Sequence, residues 1–186
     1  MGELKSAWEI AQERANRLGK LSAEEEEQQA RQRYDQIGQV LAQKWLDSSQ
    51  QLDISAELKK HKEAERNIVK QAIIEHLAEA IELTATPDIS RMKKAIEGIG
   101  SLGPELLPKA EEMGKLVQEY EGAEQKIRQE LESNYGETLH KLRISGTAVD
   151  AINIEATPQW QPARQELLEV FTPRLNDLRQ RLINSP

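Results

Sequence analysis

Apolar and aromatic side chains alternate at intervals of four and three residues from Leu106 to Leu131, and this repeat constrains the fold more than any other feature of the sequence. Such spacing places one stripe along one face of a long α-helix, where the stripe can pack as a coiled-coil seam. The stripe consists of Leu106, Ala110, Met113, Val117, Tyr120, Glu124, Ile127 and Leu131. We therefore expect Pro104 to open the longest helix of the chain.

The remaining sequence favours further helices. About half of the residues are Ala, Glu, Lys, Leu or Arg, as in coiled coils and long helices. Ser22 and Glu25 form a capping box that starts a helix at Ala23. Asp53 or Ser55 caps a restart that runs to Leu83, after a break or kink near 47–54. The other predicted helices cover 4–18, 87–98 with Thr86 as cap and Pro87 first, and 162–171 with 173–183, either separate or as one kinked helix.

The segment 144–156 is the one candidate for β structure. Its apolar and small residues fall on alternate positions, which is typical of a strand. We expect either a hairpin that turns near Val149 and Asp150 or one long arm. The predicted fold is thus mainly α, with long helices packed as a hairpin or coiled coil and one small β-hairpin or β-arm. The predicted regions are 1–143, the helical hairpin or coiled-coil region; 144–157, the β-arm; and 158–186, the C-terminal helices.

Composition excludes several classes of function. The net charge is −7 and no basic run is present, so we expect neither a nucleic-acid partner nor an anionic membrane surface. The chain has no cysteine, which excludes thiolate nucleophiles and Cys-ligated metals. Neither an apolar run of transmembrane length nor a signal sequence is present. We therefore expect a cytoplasmic protein.

Two motifs carry possible chemistry. Gly98, Gly100 and Gly103 fit G-x-G-x-x-G, but a dinucleotide site needs a strand before this motif, and a helix is predicted there. We expect a glycine turn between two helices.

Glu137 and His140 have the Glu-x-x-His spacing of di-iron bundles, but the second such motif is missing, so metal binding stays open. We assign no catalytic residue, no cofactor and no metal.

The opening GELKSAWEIA, over Gly2–Ala11, is followed by LGKLS over Leu18–Ser22. This start resembles a family of small uncharacterised bacterial proteins of unknown function that begin with a similar Lys-Ser-Ala-Trp-Glu-Ile-Ala run. The stretch Leu142–Trp160 is similar to the family's later region. The resemblance implies a bacterial cytoplasmic protein and transfers no activity.

The function expected from these observations is a non-catalytic helical interaction protein, an adaptor or scaffold. It would self-associate, as a homodimer, and present the 144–160 arm to an unidentified protein. The alternatives are a co-chaperone or nucleotide-exchange-like factor, and a metal-dependent helical-bundle enzyme around Glu137 and His140. Whether the seam closes within one chain or between chains is open. The interface candidates are Leu106, Met113, Val117, Tyr120, Ile127, Leu131 and Trp160.

Overall fold

The computed structural model describes residues 23–47, 53–84, 86–142 and 153–184. These residues form helices and no strand, so the prediction of a mainly α chain is confirmed. The elements are α1 (Ala23–Asp47), α2 (Ile54–Leu58), α3 (Glu63–Glu79), α4 (Ile89–Ser101), α5 (Leu107–Lys141), a 3-10 helix (Ile154–Ala156) and α6 (Trp160–Ile183). The helix predicted over 4–18 lies outside the described residues.

Acidic side chains start two of the helices. The Asp53 carboxylate accepts a hydrogen bond of 3.0 Å from the Ala56 amide, as predicted for the cap of α2. The Asp88 carboxylate accepts one of 2.9 Å from the Arg91 amide and caps α4. The prediction of Thr86 as the cap is wrong, because the ionised Asp88 two residues later is the better acceptor at the positive end of a helix.

The sequence predicted one helix from residue 53 to Leu83, whereas the structure has two helices there. A turn separates α2 from α3, and the Lys62 amide donates to the Glu65 carboxylate at 3.3 Å as α3 begins. Helix α5 begins at Leu107 with Pro108 in its first turn, three residues after the predicted Pro104. Helix α6 is continuous through Pro173, which agrees with the single-helix alternative.

The predicted β-arm is wrong where the structure describes it. Ile154–Ala156 form a 3-10 helix, and the remainder of the arm, 144–152, lies outside the described residues. The amides of Ala156 and Thr157 donate to carbonyls three residues earlier, so this backbone satisfies its hydrogen bonds locally. Ile154 is buried by this turn. Apolar residues at alternate positions of a short segment cannot distinguish such a turn from a strand.

One hydrophobic core joins all six α-helices. Helix α1 packs on α3, and α4 packs on α5. Helix α6 returns along α5 in the opposite direction, since Arg181 pairs with Glu112 and Arg164 with Glu124. The predicted N-terminal and C-terminal helical regions therefore share the same core. This arrangement leaves one side of α5 facing α6 and another beside α4.

Candidate protein-interaction surface

The predicted seam on α5 is divided into a buried and a half-buried part. Leu106, Met113, Val117 and Tyr120 are at most 4% exposed and pack into the core of their own chain. Further along α5 the seam residues are half-buried, at Ile127 and Leu131. The first part of the seam therefore closes within the chain, and a partner could reach it only by opening the core.

Trp160, the last interface candidate, is also an internal anchor. Its side chain is 2% exposed. The guanidinium of Arg128 lies 4.9 Å from the centroid of the indole, and that of Arg164 lies 5.8 Å away, which are cation–π distances. Arg128 also pairs with Glu155 at 2.7 Å and lowers the pKa of that carboxyl group. Trp160 thus fastens the start of α6 and the 3-10 helix to α5.

Ion pairs follow the whole contact between α5 and α6. Three pairs join the two helices, Glu112–Arg181 at 3.5 Å, Glu119–Arg174 at 2.9 Å and Glu124–Arg164 at 3.1 Å. A fourth, Arg128–Glu155 at 2.7 Å, joins α5 to the 3-10 helix that precedes α6. Glu124, the one polar position of the predicted seam, belongs to this set, and its carboxylate also accepts from the Tyr120 hydroxyl at 3.4 Å. The side of α5 that faces α6 is therefore satisfied in charge within the chain.

The other side of α5 borders an open groove against α4, with a volume of about 550 Å³. Small and apolar residues form its floor. Leu107 stands at one end and is 46% exposed, although it is a large apolar side chain. A β-carbon built on Gly114 would be 3.9 Å from Ile96, and one on Gly100 would be 3.4 Å from Leu107, so neither glycine is there to prevent a clash. The groove is lined by Ile96, Glu97, Gly100, Ser101, Leu107, Ala110, Glu111, Gly114, Lys115 and Gln118.

Charged side chains of both signs stand on the rim of this α4/α5 groove. Glu97, Glu111 and Lys115 form no ion pair with any residue that the structure describes. Glu111 and Lys115 are one turn apart on the same helix, yet they do not pair. The rim therefore carries charges that no described residue pairs, in contrast to the α6 side of the same helix.

A second groove of about 560 Å³ lies between α1 and α3. Seven of its nine lining residues are polar or charged, compared with five of the ten that line the α4/α5 groove, and Ile68 and Ala72 are the apolar exceptions. The lining residues are Gln28, Arg31, Gln32, Asp35, Asn67, Ile68, Gln71, Ala72 and Glu75. This groove is the poorer site for an apolar helix face, because amide and charged groups would lose their water.

The two motifs singled out in the sequence do not form a site with other described residues. Gly98 and Gly100 lie inside α4, whose amides donate to its own carbonyls, so the predicted glycine turn is confined to Gly103. Glu137 and His140 are exposed on α5, and Glu137 lies 3.8 Å from Lys141. Among the described residues no three His, Cys, Asp or Glu side chains cluster as metal ligands would.

Sequence reasoning missed the α4/α5 groove. The signal that could have found it is a second stripe on α5, at Leu107, Glu111, Gly114 and Gln118, with the same intervals of four, three and four residues as the seam. Its members are mostly small or polar, so a search for hydrophobic spacing passes over them.

The comparisons with known proteins identify a family and nothing further. Residues 55–183, about two thirds of the chain, match a family of unknown function, DUF6657. The match includes the stretch Leu142–Trp160 and starts after the opening run from which the resemblance was argued. No curated protein and no solved structure matches the chain. Within the described residues no helix is long and apolar enough to cross a membrane.

Proposed function

Because the chain belongs to this family of unknown function, which supplies no activity, we propose from the geometry that it is a non-catalytic helical interaction protein, an adaptor or scaffold. The docking site is the α4/α5 groove, and its ligand is an amphipathic helix. The observation that carries this proposal is an open groove with a small and apolar floor, beside charges that no described residue pairs, on a helix whose other side packs against α6.

A helix suits this groove for two physical reasons. The floor at Gly100, Ala110 and Gly114 has short side chains, so the backbone of a docked helix can approach closely and its apolar side chains can fill the gap. Each Å² of apolar surface that leaves water contributes about 25 cal/mol. The charges of Glu97, Glu111 and Lys115 then orient the ligand by pairing at the edge.

No observation in the described residues favours the two alternatives. The analogy with a co-chaperone depended on a small β element after the long helices, and the described part of 144–156 is a 3-10 helix. The metal-dependent enzyme depended on Glu137 and His140, which have no third ligand beside them among the described residues. A bacterial, cytoplasmic setting stays a prediction.

Photo-cross-linking from the rim of the groove tests the proposal. We would place p-benzoylphenylalanine at Gln118 and irradiate living cells that make the full chain. We expect protein adducts from this position, and few from a control with the same group at Glu166, which is exposed on α6. Equal adduct formation at both positions, or none at Gln118, would contradict the proposal.

A matched pair of glycine variants shows whether the groove itself binds. Gly114→Leu fills the groove, whereas a β-carbon at Gly122, on the same helix, meets nothing within 4 Å. We expect Gly114→Leu to suppress the adducts from Gln118 and Gly122→Leu to leave them unchanged. Both variants exchange a helical glycine for a good helix former, so an effect on helix stability is common to the two.

A further inference from the structure

We infer that the helix that occupies the α4/α5 groove is α5 of a second copy, so that two chains pair groove to groove about a two-fold axis close to Gly114. This inference rests on the proposed function and names its partner. It also moves the predicted homodimer from the Leu106–Leu131 seam, which the core occupies in part, to an adjacent face of α5, about 100° around the helix.

The spacing of the second stripe on α5 suits an antiparallel pair. Leu107, Glu111, Gly114 and Gln118 lie on one face of the helix. When two such helices run in opposite directions with Leu107 of each facing Gln118 of the other, the two-fold axis lies midway between Glu111 and Gly114. Gly114 of each helix then faces Glu111 of the other, and its lack of a side chain allows the backbones to approach closely on both sides of the axis.

The groove supplies both a projecting side chain and a space for it. Leu107 is exposed at one end, about 10 Å along the helix from Gly114. A two-fold axis midway between Glu111 and Gly114 carries this leucine an equal distance past the axis, to Gln118 at the end of the partner's groove. One apolar side chain from each copy thus leaves water and fills the other's gap, as required of a surface that binds itself.

The charges on the rim of one copy are complementary to those on the rim of a second copy. In the antiparallel arrangement, Glu111 of each copy lies opposite the partner's Gly114 and next to the partner's Lys115, and the two-fold axis makes this contact twice. Neither residue has an ion-pair partner among the described residues. A rim of one sign would fit a partner of the opposite charge, whereas the presence of both signs at this spacing fits a second copy.

The contact area indicates a reversible dimer. The stripe from Leu107 to Gln118 is about 16 Å long, which is short for a protein interface. Interfaces of this size belong to weak complexes, and we expect a dissociation constant on the order of micromolar.

Sedimentation of the full chain over a range of concentrations tests the inference. We expect the mass to rise from 21.1 kDa towards twice that value as the concentration increases. Glu111→Lys and Lys115→Glu should each weaken the dimer by about tenfold or more, since each places like charges across the axis twice. The double variant should restore wild-type association, because the swapped charges pair again.

Glycine and cysteine variants locate the axis. Gly114→Leu should leave the chain monomeric and Gly122→Leu should not, with the helix content of both followed by circular dichroism. The chain has no cysteine, so a single introduced thiol can form a disulfide only between chains. Gly114→Cys should therefore cross-link under mild oxidation, and Gly122→Cys should not.

The outcomes separate this inference from the proposed function. A wild-type chain that stays monomeric at every concentration overturns the inference, and so does a dimer that tolerates both single charge swaps. If photo-cross-linking from Gln118 then yields adducts with a different protein, the groove still binds a helix and the proposed function stands. If neither self-association nor adducts are found, both are wrong.

Discussion

At the scale of single residues, Gly98 determines how closely α1 approaches α4. A β-carbon at this position would lie 2.6 Å from the indole nitrogen of Trp45 and 2.9 Å from a methyl group of Leu77. The same indole donates a hydrogen bond of 2.8 Å to the Lys94 carbonyl, one turn earlier on α4. Close packing around Trp45 therefore explains the first glycine of the G-x-G-x-x-G letters.

The substitution Gly98→Ala should lower the free energy of unfolding by about 1–3 kcal/mol, because the added methyl group overpacks the contact with Trp45. The matched control is Gly122→Ala, where the methyl group meets nothing within 4 Å and the better helix former should raise stability by about 0.5–1 kcal/mol. Urea denaturation followed by circular dichroism measures both. A stabilising effect of Gly98→Ala would contradict this account of the contact.

At the scale of elements, α5 and α6 form an antiparallel pair that one large side chain anchors near the start of α6. Trp160 is buried between α5 and α6 with two guanidinium groups near its ring. The other end of the pair is held by Leu175, Leu178 and Leu182, which belong to the core. Docking of α6 therefore depends on apolar burial at both ends, with the ion pairs arranged between them.

The substitution Trp160→Ala should lower the free energy of unfolding by about 3–5 kcal/mol, the usual cost of truncating a large buried aromatic side chain. Val170→Ala, on the exposed face of the same helix, serves as the control and should change stability by no more than about 0.5 kcal/mol. Chemical denaturation measures both. A loss for Trp160→Ala no larger than the control's would show that α6 is held elsewhere.

At the scale of the whole molecule, hydrogen-bonded carboxylates make the fold sensitive to acid. Hydrogen bonds from Lys70 and from Arg128 lower the pKa of Glu105 and of Glu155, and one from Tyr34 lowers that of Glu65. Gln43, and after it Arg91, lowers the pKa of Asp47 in the same way. Glu65 joins α3 to α1, and Asp47 joins α1 to α4. Glu105 joins the turn before α5 to α3, and Glu155 joins the 3-10 helix to α5.

The sign of the pH effect follows from these pKa values. A carboxyl group whose pKa is lower in the folded chain binds more protons when unfolded, so its stabilisation is complete above the ordinary values of 4.5 for Glu and 3.8 for Asp. It is lost as the pH falls through the lowered values. The melting temperature should therefore fall on acidification in that range. Since Asp47, Glu105 and Glu155 are exposed and Glu65 is only half-buried, each contribution is small.

Thermal melts of two variants check the assignment. Glu155→Gln removes one of the shifted groups and should make the acid dependence of the melting temperature shallower. Glu166→Gln, which changes an exposed glutamate on α6, should leave that dependence as in the unaltered chain. A Glu155→Gln variant with an unchanged acid profile would show that the pair with Arg128 contributes nothing to folding.

Most of the length of the described helices could be predicted from the sequence. The positions of the helix ends could be predicted less accurately. The Asp53 cap and the great length of α5 follow from local spacing and capping chemistry. The start of α4 was misplaced because two neighbouring side chains, Thr86 and Asp88, can both cap. The β-arm was wrong at Ile154–Ala156, since a few residues of shared parity carry no information about the surface against which they pack.

The sequence contains the residues of the candidate site but does not predict how they are arranged in space. The sequence shows the residues of the second stripe, including Gly114, Glu111 and Lys115, but not that α4 stops short of covering them. It also shows the seam from Leu106 to Leu131 without indicating what covers it. Spacing along a helix defines faces, whereas the neighbour of each face is set by contacts between distant residues.

The sequence by itself therefore determined the mainly helical fold, the long α5 with its two stripes and the acidic surface, because local hydrogen bonding, side-chain periodicity and charge do not depend on distant contacts. Only the tertiary structure decided that the first part of the seam is core, that Trp160 is an internal anchor and that the open groove lies beside α4. The physical reason is competition for burial. Of two faces on one helix, the more apolar face is covered by the chain itself, and the other lies beside the open groove.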